Sequence, residues 1–249
     1  MSMPAQHGRV AVVTGGLGGL GGLGTEICRQ LTQAGRRVVA VDLSARGGER
    51  AESDNAISFE PADVSDFDNC QALIERIEAQ HGSVDILVNA AGVTRDTSLR
   101  KMDPRHWHEL MRVNLDGVFN MCRHVVEGMS TRGFGRIINI SSVNGQTGQF
   151  GQTNYSAAKA GVHGFGMALA RETARKGVTV NTVSPGYCDT PMVAAVSDEI
   201  RQQIIADIPV GRLGAPADIA RAVVFLSADD AGYITGANLP VNGGYFMSF

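Results

Sequence analysis

The chain has 249 residues, 43% of them apolar and 19% charged, ordinary values for a folded protein with a large core. A net charge of −3 leaves no electrostatic footprint for nucleic acid, and apolar runs of strand length are too short to span a membrane. Cys28, Cys70, Cys122 and Cys188 are scattered without metal-ligand or redox spacing, and His106 and His108 point to different sides of a helix, so no metal is expected. The opening MSMPAQHGR has no apolar core of a secretory signal, and the expected setting is the reducing cytoplasm.

In chain order, strands alternate with helices. RVAVVTG (9–15) is a β-branched strand ending in glycine, and EICRQLTQAG (26–35) reads as an amphipathic helix stopped by Gly35. RRVVAVDLS (36–44) and AISFEPADV (56–64) are the next strands, followed by a helix over 66–81 with Leu73, Ile74 and Ile77 on its apolar side. VDILVNAAG (84–92) is apolar on both faces, as a buried parallel strand is. A helical stretch covers 104–130, GRIINISS (135–142) is a strand, and the next helix, which carries Tyr155, runs to 176. GVTVNTVSPG (177–186), a helix over 216–227 and ANLPV (237–241) complete the pattern. Such alternation predicts a doubly wound parallel sheet with helices on both faces, as a single domain over 1–249 with no linker or charge block.

The first strand empties into an unusual loop, with Thr14 followed by GGL three times from Gly15 to Leu23 and then Gly24. Glycine between a first strand and first helix lets backbone approach a pyrophosphate at the helix N-terminus. Thr14-Gly15-x3-Gly19-x-Gly21 fits that pattern from the strand side, and Gly18-x3-Gly22-x-Gly24 fits it from the helix side, with one triplet surplus. The strand-side register is favoured because the sheet fixes where the loop begins, and it assigns Gly15, Gly18, Gly19, Leu20 and Gly21 to the cofactor. Asp42 closes the second strand, where a carboxylate accepts from both ribose hydroxyls and repels a 2′-phosphate. NAD(H) is therefore favoured, with NADP(H) possible if Arg46 or Arg50 swings in.

Tyr155 and Lys159 are four apart, on one face of a helix, and Ser142 ends the preceding strand. A free phenol has a pKa of about 10, and a cation within about 4–6 Å would lower it toward the range of general acid–base chemistry. Ser142 would hydrogen-bond a substrate oxygen that the tyrosine protonates. A Tyr–Lys pair at this spacing is also common on helix surfaces. After the next strand, SDEIRQQIIADIPV, with Ile200, Ile204 and Ile208 apolar, reads as a short helix within a substrate lid near 188–213.

Together the motifs resemble the short-chain dehydrogenase/reductase family over essentially the whole chain. The matching pieces are TG-x3-G-x-G, Asp63-Val64, NAAG (89–92), Asn114 in VNLDG, Ser142, YSAAK (155–159) and PG (185–186). The resemblance implies a Rossmann-like α/β fold, an oxidoreductase using NAD(P), and the catalytic set Asn114, Ser142, Tyr155 and Lys159. It implies that Asp63 and Val64 hold the adenine and that Asn89, Ala90 and Gly92 lie against the cofactor's ribose. Lys159 would hold the nicotinamide ribose beside Tyr155, while Pro185, Gly186 and Thr190 fix the carboxamide. Asn114 would bind a water through its backbone and so supply protons to Lys159.

A narrower likeness lies in TRDTSLRKM (94–102), RIINISSVNGQTGQFGQTNYSAAKAG (136–161), VNTVSPGY (180–187) and VNGGY (241–245), which are similar to acetoacetyl-CoA reductases of polyhydroxyalkanoate synthesis. That likeness implies an acyl-CoA partner held by Asp96, Lys101, Ser142, Gln149, Phe150, Gln152 and Tyr187, a (3R)-3-hydroxybutyryl-CoA product, and a homotetramer. The extra GGL and Asp42 depart from it, since many members of that group use NADPH. Other readings are a 3-oxoacyl-[acyl-carrier-protein] reductase, a small-alcohol dehydrogenase, or a non-catalytic nucleotide-binding regulator.

Overall fold

The computed structural model describes residues 8–17, 22–44, 57–190 and 197–247. Seven strands form one sheet: β1 (Val10–Thr14), β2 (Arg37–Asp42), β3 (Ile57–Pro61), β4 (Ile86–Asn89), β5 (Gly135–Ile140), β6 (Val178–Pro185) and β7 (Asn238–Val241). They run parallel in the order β3-β2-β1-β4-β5-β6-β7. The order reverses between β1 and β4, where a crevice opens at the carboxyl ends of the strands. Register places Thr14 beside Val41 on one side and Asn89 on the other, so three strand ends meet at one level.

The helices are α1 (Leu23–Gln33), α2 (Phe67–His81), α3 (Pro104–Met111), α4 (Gly117–Arg132), α5 (Asn144–Thr147), α6 (Thr153–Thr173), α7 (Asp198–Asp207) and α8 (Pro216–Leu226). Alternation along β1 divides the core: Val10 and Val12 face α2, α4 and α6, while Ala11 and Val13 face α1 and α8. The first layer is filled by Leu73 and Ile77 of α2, Met121 and Val125 of α4 and Val162 of α6. Ile27 and Leu31 of α1 and Ile219 and Val223 of α8 fill the second. This is the doubly wound α/β architecture that the sequence pattern predicts.

Two departures matter for function. The expected continuous helix over 104–130 is interrupted by a π-helical turn, Arg112–Asp116, closed by the Gly117 N–H donating to Arg112 O. The strand expected over 135–142 stops at Ile140; Ser141 N still donates to Val183 O of β6 at 2.8 Å, its Oγ donates to Lys159 O at 2.9 Å, and the chain then turns into α5. No described helix is long and apolar enough to cross a membrane.

Candidate active site

The carboxyl ends of the central strands open onto a cleft of about 320 Å³. Ser142 and Asn144 reach it from the turn after β5, Asp96 from the loop after β4, and Tyr155 from α6. Pro185 at the end of β6 and Gly186, Tyr187, Cys188 and Thr190 after it also line the cleft, as do Ile200 and Ile204 of α7.

Tyr155 packs against Leu110 of α3 and Ala158 and is only 7% exposed. Burial therefore dominates its acidity and pushes the phenol up to about 12. The Ser142 hydroxyl opposes that shift, and the Asp96 carboxylate adds to it. Lys159 is 1% exposed, and burial brings its ammonium down to about 8. Its Nζ donates to Ile140 O at 2.8 Å and lies 5.7 Å from the centre of the Tyr155 ring. This corrects the expectation that Lys159 lowers the phenol's pKa: both groups are removed from water, each is driven toward its neutral form, and the ammonium is turned to a backbone carbonyl. The protonated phenol is the stable form, which suits a proton donor.

Asn114 sits in the π-helical turn and is fully buried. Its Oδ1 accepts from Val93 N at 2.9 Å and its Nδ2 donates to Val93 O at 3.0 Å. The side chain is thus spent on tying the turn to the loop after β4, leaving backbone as the group available toward α6.

On the cofactor side, Gly15 has φ +68° and leads the chain off β1. A Cβ on Gly16 would lie 2.8 Å from Ala40 Cβ, and one on Gly24 would lie 2.0 Å from Gly15 O. Only bare backbone fits here, which is the cradle that a dinucleotide pyrophosphate requires at a helix start. Gly24, the last glycine of the helix-side register and one residue into α1, makes the close approach of helix to strand. Gly18, Gly19, Leu20 and Gly21 lie outside the described residues, as do Arg46 and Arg50. Asp42 ends β2, where its Oδ1 accepts from Leu43 N at 2.9 Å and its carboxylate remains partly exposed at the crevice edge. The glycine cradle and this carboxylate fit an adenine dinucleotide.

The other cofactor residues differ in kind. Asp63 Oδ1 accepts from Ser65 N at 2.9 Å in the turn before α2, and Val64, largely buried, abuts Gly117. Asn89 has its side chain turned inward. Its amide is buried between strands, donating to Asn139 Oδ1 at 2.9 Å and to Cys122 Sγ at 3.4 Å, so its side chain ties β4 to β5 and α4 instead of facing the crevice. Ala90 N and Ala91 N both donate to Thr14 Oγ1 at 3.1 Å, which fixes the following turn, including Gly92, beside the end of β1. Gly186 cannot carry a side chain, because a Cβ would lie 2.8 Å from Asn242 Cα.

Of the residues expected to touch substrate, Asp96, Ser142, Gln149, Gln152 and Tyr187 line the cleft. Lys101 and Phe150 do not line it. Lys101 is exposed in a 3-10 turn, and Phe150 is 90% exposed between Gly148 (φ +73°) and Gly151 (φ +78°), whose turns aim it at solvent. Among the described residues no cluster of His, Cys, Asp or Glu is arranged to hold a metal.

A sequence-family match described as Enoyl-(Acyl carrier protein) reductase covers residues 16–246. The chain belongs to the short-chain dehydrogenase/reductase family. It is therefore an NAD(P)-dependent oxidoreductase of the CH–OH/C=O pair. Within this family it is 54% identical to an acetoacetyl-CoA reductase of Allochromatium vinosum over 246 residues, 96% of this chain and 99% of the relative. It is 49% identical to an acetoacetyl-CoA reductase of Cupriavidus necator over 245 residues, 96% of this chain and 98% of that one. A 3-oxoacyl-[acyl-carrier-protein] reductase of Haemophilus influenzae is 44% identical over 249 residues, 97% of this chain and 99% of the relative.

Cleft residues of this short-chain dehydrogenase/reductase that escaped sequence reasoning include Thr94, Asn144 and Cys188. Thr94 and Asn144 lie inside segments already singled out but carry no distinctive chemistry there. Cys188 follows Tyr187, and burial pushes its thiol up to about 11, so it contributes to the wall as a protonated, weakly polar side chain.

Proposed function

We propose that the protein reduces acetoacetyl-CoA to (3R)-3-hydroxybutyryl-CoA, with NADH as the preferred reductant. The observation that carries this reading is the convergence of Ser142 and Tyr155 with Asp96, Gln149, Gln152 and Tyr187 on one cleft, with Lys159 buried behind Tyr155, its Nζ 5.7 Å from the ring centre. High identity to acetoacetyl-CoA reductases along nearly the full length supports the substrate.

When bound, the cofactor supplies hydride to the β-carbonyl carbon. Ser142 donates a hydrogen bond to the carbonyl oxygen, and Tyr155 transfers its proton to that oxygen as charge develops there. Burial keeps the phenol protonated until that moment. Lys159 holds its proton loosely and returns one to Tyr155, resupplied from solvent past the Asn114 backbone. Asp42 accepts from the ribose hydroxyls and disfavours a 2′-phosphate, which supports NADH over NADPH. Ile200 and Ile204 of α7 close over the acyl group within one domain, as the described part of the expected lid near 188–213, of which 191–196 lie outside the described residues. The half-exposed Phe119 of α4 and Met167 of α6, together with edge strand β7, support assembly as a homotetramer. Four free, buried cysteines suit a cytoplasmic protein.

Steady-state kinetics on acetoacetyl-CoA with NADH and NADPH side by side test the reading. Tyr155→Phe should abolish turnover while NADH binding is retained; undiminished turnover in that variant refutes the mechanism. Identity to the carrier-protein reductase keeps one competitor in view. A faster rate on an acetoacetyl-carrier-protein thioester than on acetoacetyl-CoA would assign the enzyme to that substrate.

A further inference from the structure

Tyr187 lines two spaces at once and stands between them. One is the cleft, and the other is a second cavity of about 270 Å³ walled by Val210, Arg212, Val241 and Gly243. The two sides of the cleft also differ in kind. Asp96, Gln149 and Gln152 bring polar groups from the segments after β4 and β5, whereas Tyr187 and Cys188 follow β6 and Ile200 and Ile204 belong to α7. A thioester and the amides beyond it suit the first side, and the methyl end of an acyl chain suits the second.

The half-buried Tyr187 ring is held from outside the cleft. It meets the Tyr245 ring edge-on, with centroids 5.4 Å apart and planes at 80°. Tyr245 stands on the turn after β7, and that turn is seated on both neighbouring segments. Gly186 N donates to Val241 O at 3.0 Å, which sets it against the end of β6. Val210 N donates to Gly243 O at 3.1 Å, and a Cβ on Gly243 would lie 2.8 Å from Ile208 Cγ2, so it also rests on the chain leaving α7. Within the turn, Asn242 Oδ1 accepts from Gly244 N at 3.0 Å and Asn242 Nδ2 donates to Phe246 O at 2.8 Å. A backbone N–H only donates and a carbonyl only accepts, so the amide has one orientation. An ionised aspartate cannot make the second bond.

We infer that the turn Asn242–Phe246 is a brace that holds Tyr187 across the end of the cleft and so limits the length of acyl chain the enzyme accepts. Tyr245 is the positioning residue, and Asn242 keeps the turn that carries it. The inference rests on the acyl-CoA reading of the cleft. A longer chain must push Tyr187 toward the second cavity, and the edge of Tyr245 opposes that movement. Without that edge the ring turns aside and the two spaces join.

Two substrates of different length read the brace, since 3-oxohexanoyl-CoA is longer than acetoacetyl-CoA at its methyl end. Tyr245→Ala should raise kcat/KM for the longer substrate relative to the shorter about tenfold, the scale on which a pocket senses a methylene. Asn242→Asp keeps the acceptor for Gly244 N but sets a carboxylate against Phe246 O, and should move the ratio in the same direction. Tyr245→Phe keeps the ring edge and should retain the wild-type ratio. General loosening of the fold lowers both rates alike, so an unchanged ratio in Tyr245→Ala overturns the inference. An equal change in Tyr245→Phe overturns it too. The chain has four tyrosines, so fluorine NMR of fluorotyrosine-labelled, cofactor-free protein gives a readout that needs no substrate, assigned with Tyr187→Phe and Tyr155→Phe. If acetoacetyl-CoA is not turned over, the function reading fails on its own. The Tyr187 resonance then decides the brace: a shift in Asn242→Asp with the Tyr155 resonance in place sustains it. An unmoved Tyr187 resonance, or equal shifts of both, refutes it.

Discussion

Replacing Lys159 by Met should make the cofactor-free protein more stable while removing its activity. The ammonium is buried and turned to one backbone carbonyl, and its pKa falls from 10.5 to about 8. At about 1.4 kcal/mol per pH unit, keeping that charge inside costs about 3 kcal/mol at neutral pH. Losing the bond to Ile140 O returns about 1 kcal/mol of that, so the variant should gain about 2 kcal/mol, or on the order of 5 °C in Tm. The pH dependence has a definite sign. Below pH 8 folded and unfolded chains both carry the proton, and the full penalty is present. Between about 8 and 10.5 the unfolded chain binds more protons than the folded one, so wild-type stability rises with pH and the gap to the variant closes. Thermal unfolding at fixed protein concentration, from pH 7 to 10, measures both effects. A wild type more stable than Lys159→Met at pH 7, or a gap that does not change with pH, refutes the reasoning.

Two further substitutions address the cofactor. Gly24→Ala sets a Cβ 2.0 Å from Gly15 O, so the loop must shift, and the Kd for NADH measured by fluorescence titration should rise about tenfold or more. Asp42→Ala removes both the ribose acceptor and the charge facing a 2′-phosphate; the kcat/KM ratio of NADPH to NADH should rise about tenfold or more, and an unchanged ratio removes Asp42 from cofactor selection.

Periodicity was enough to read the sheet and its flanking helices, because both signals are local. The buried parallel strands announce themselves as apolar on both faces, and that same feature hid the direction of Asn89. Counting by two from Leu87, which faces the α4 layer, puts Asn89 on the α4 side, but no outward polar face marks the parity in the sequence. Spacing brought Tyr155 and Lys159 to one face of α6 yet carried no information about burial, which reverses the expected effect on the phenol. Phe150 shows the same limit in a loop: two left-handed glycines flanking it decide where it points. Asn144 became visible only when three separate segments were brought together.

The repeated glycine loop gains a simpler reading from its two ends. Gly15 is fixed by β1 with φ +68°, whereas Gly22 caps α1 with φ +93° and Gly24 packs against Gly15. Gly15 is the first anchor of the strand-side register, and Gly22 and Gly24 are the last two of the helix-side register. Removing Leu17–Gly19 joins these anchors as Thr14-Gly15-x3-Gly22-x-Gly24, a single copy of the pattern in which both registers merge. The surplus triplet then lies between anchors that the sheet and the helix hold independently, and lengthening a loop costs little once its ends are set. The deletion variant should therefore fold and bind NADH at least as tightly as the unaltered chain by fluorescence titration. A Kd more than tenfold weaker in a variant with unchanged Tm would mean that the extra GGL itself touches the cofactor, and that the loop is a specialised element and not a tolerated insertion.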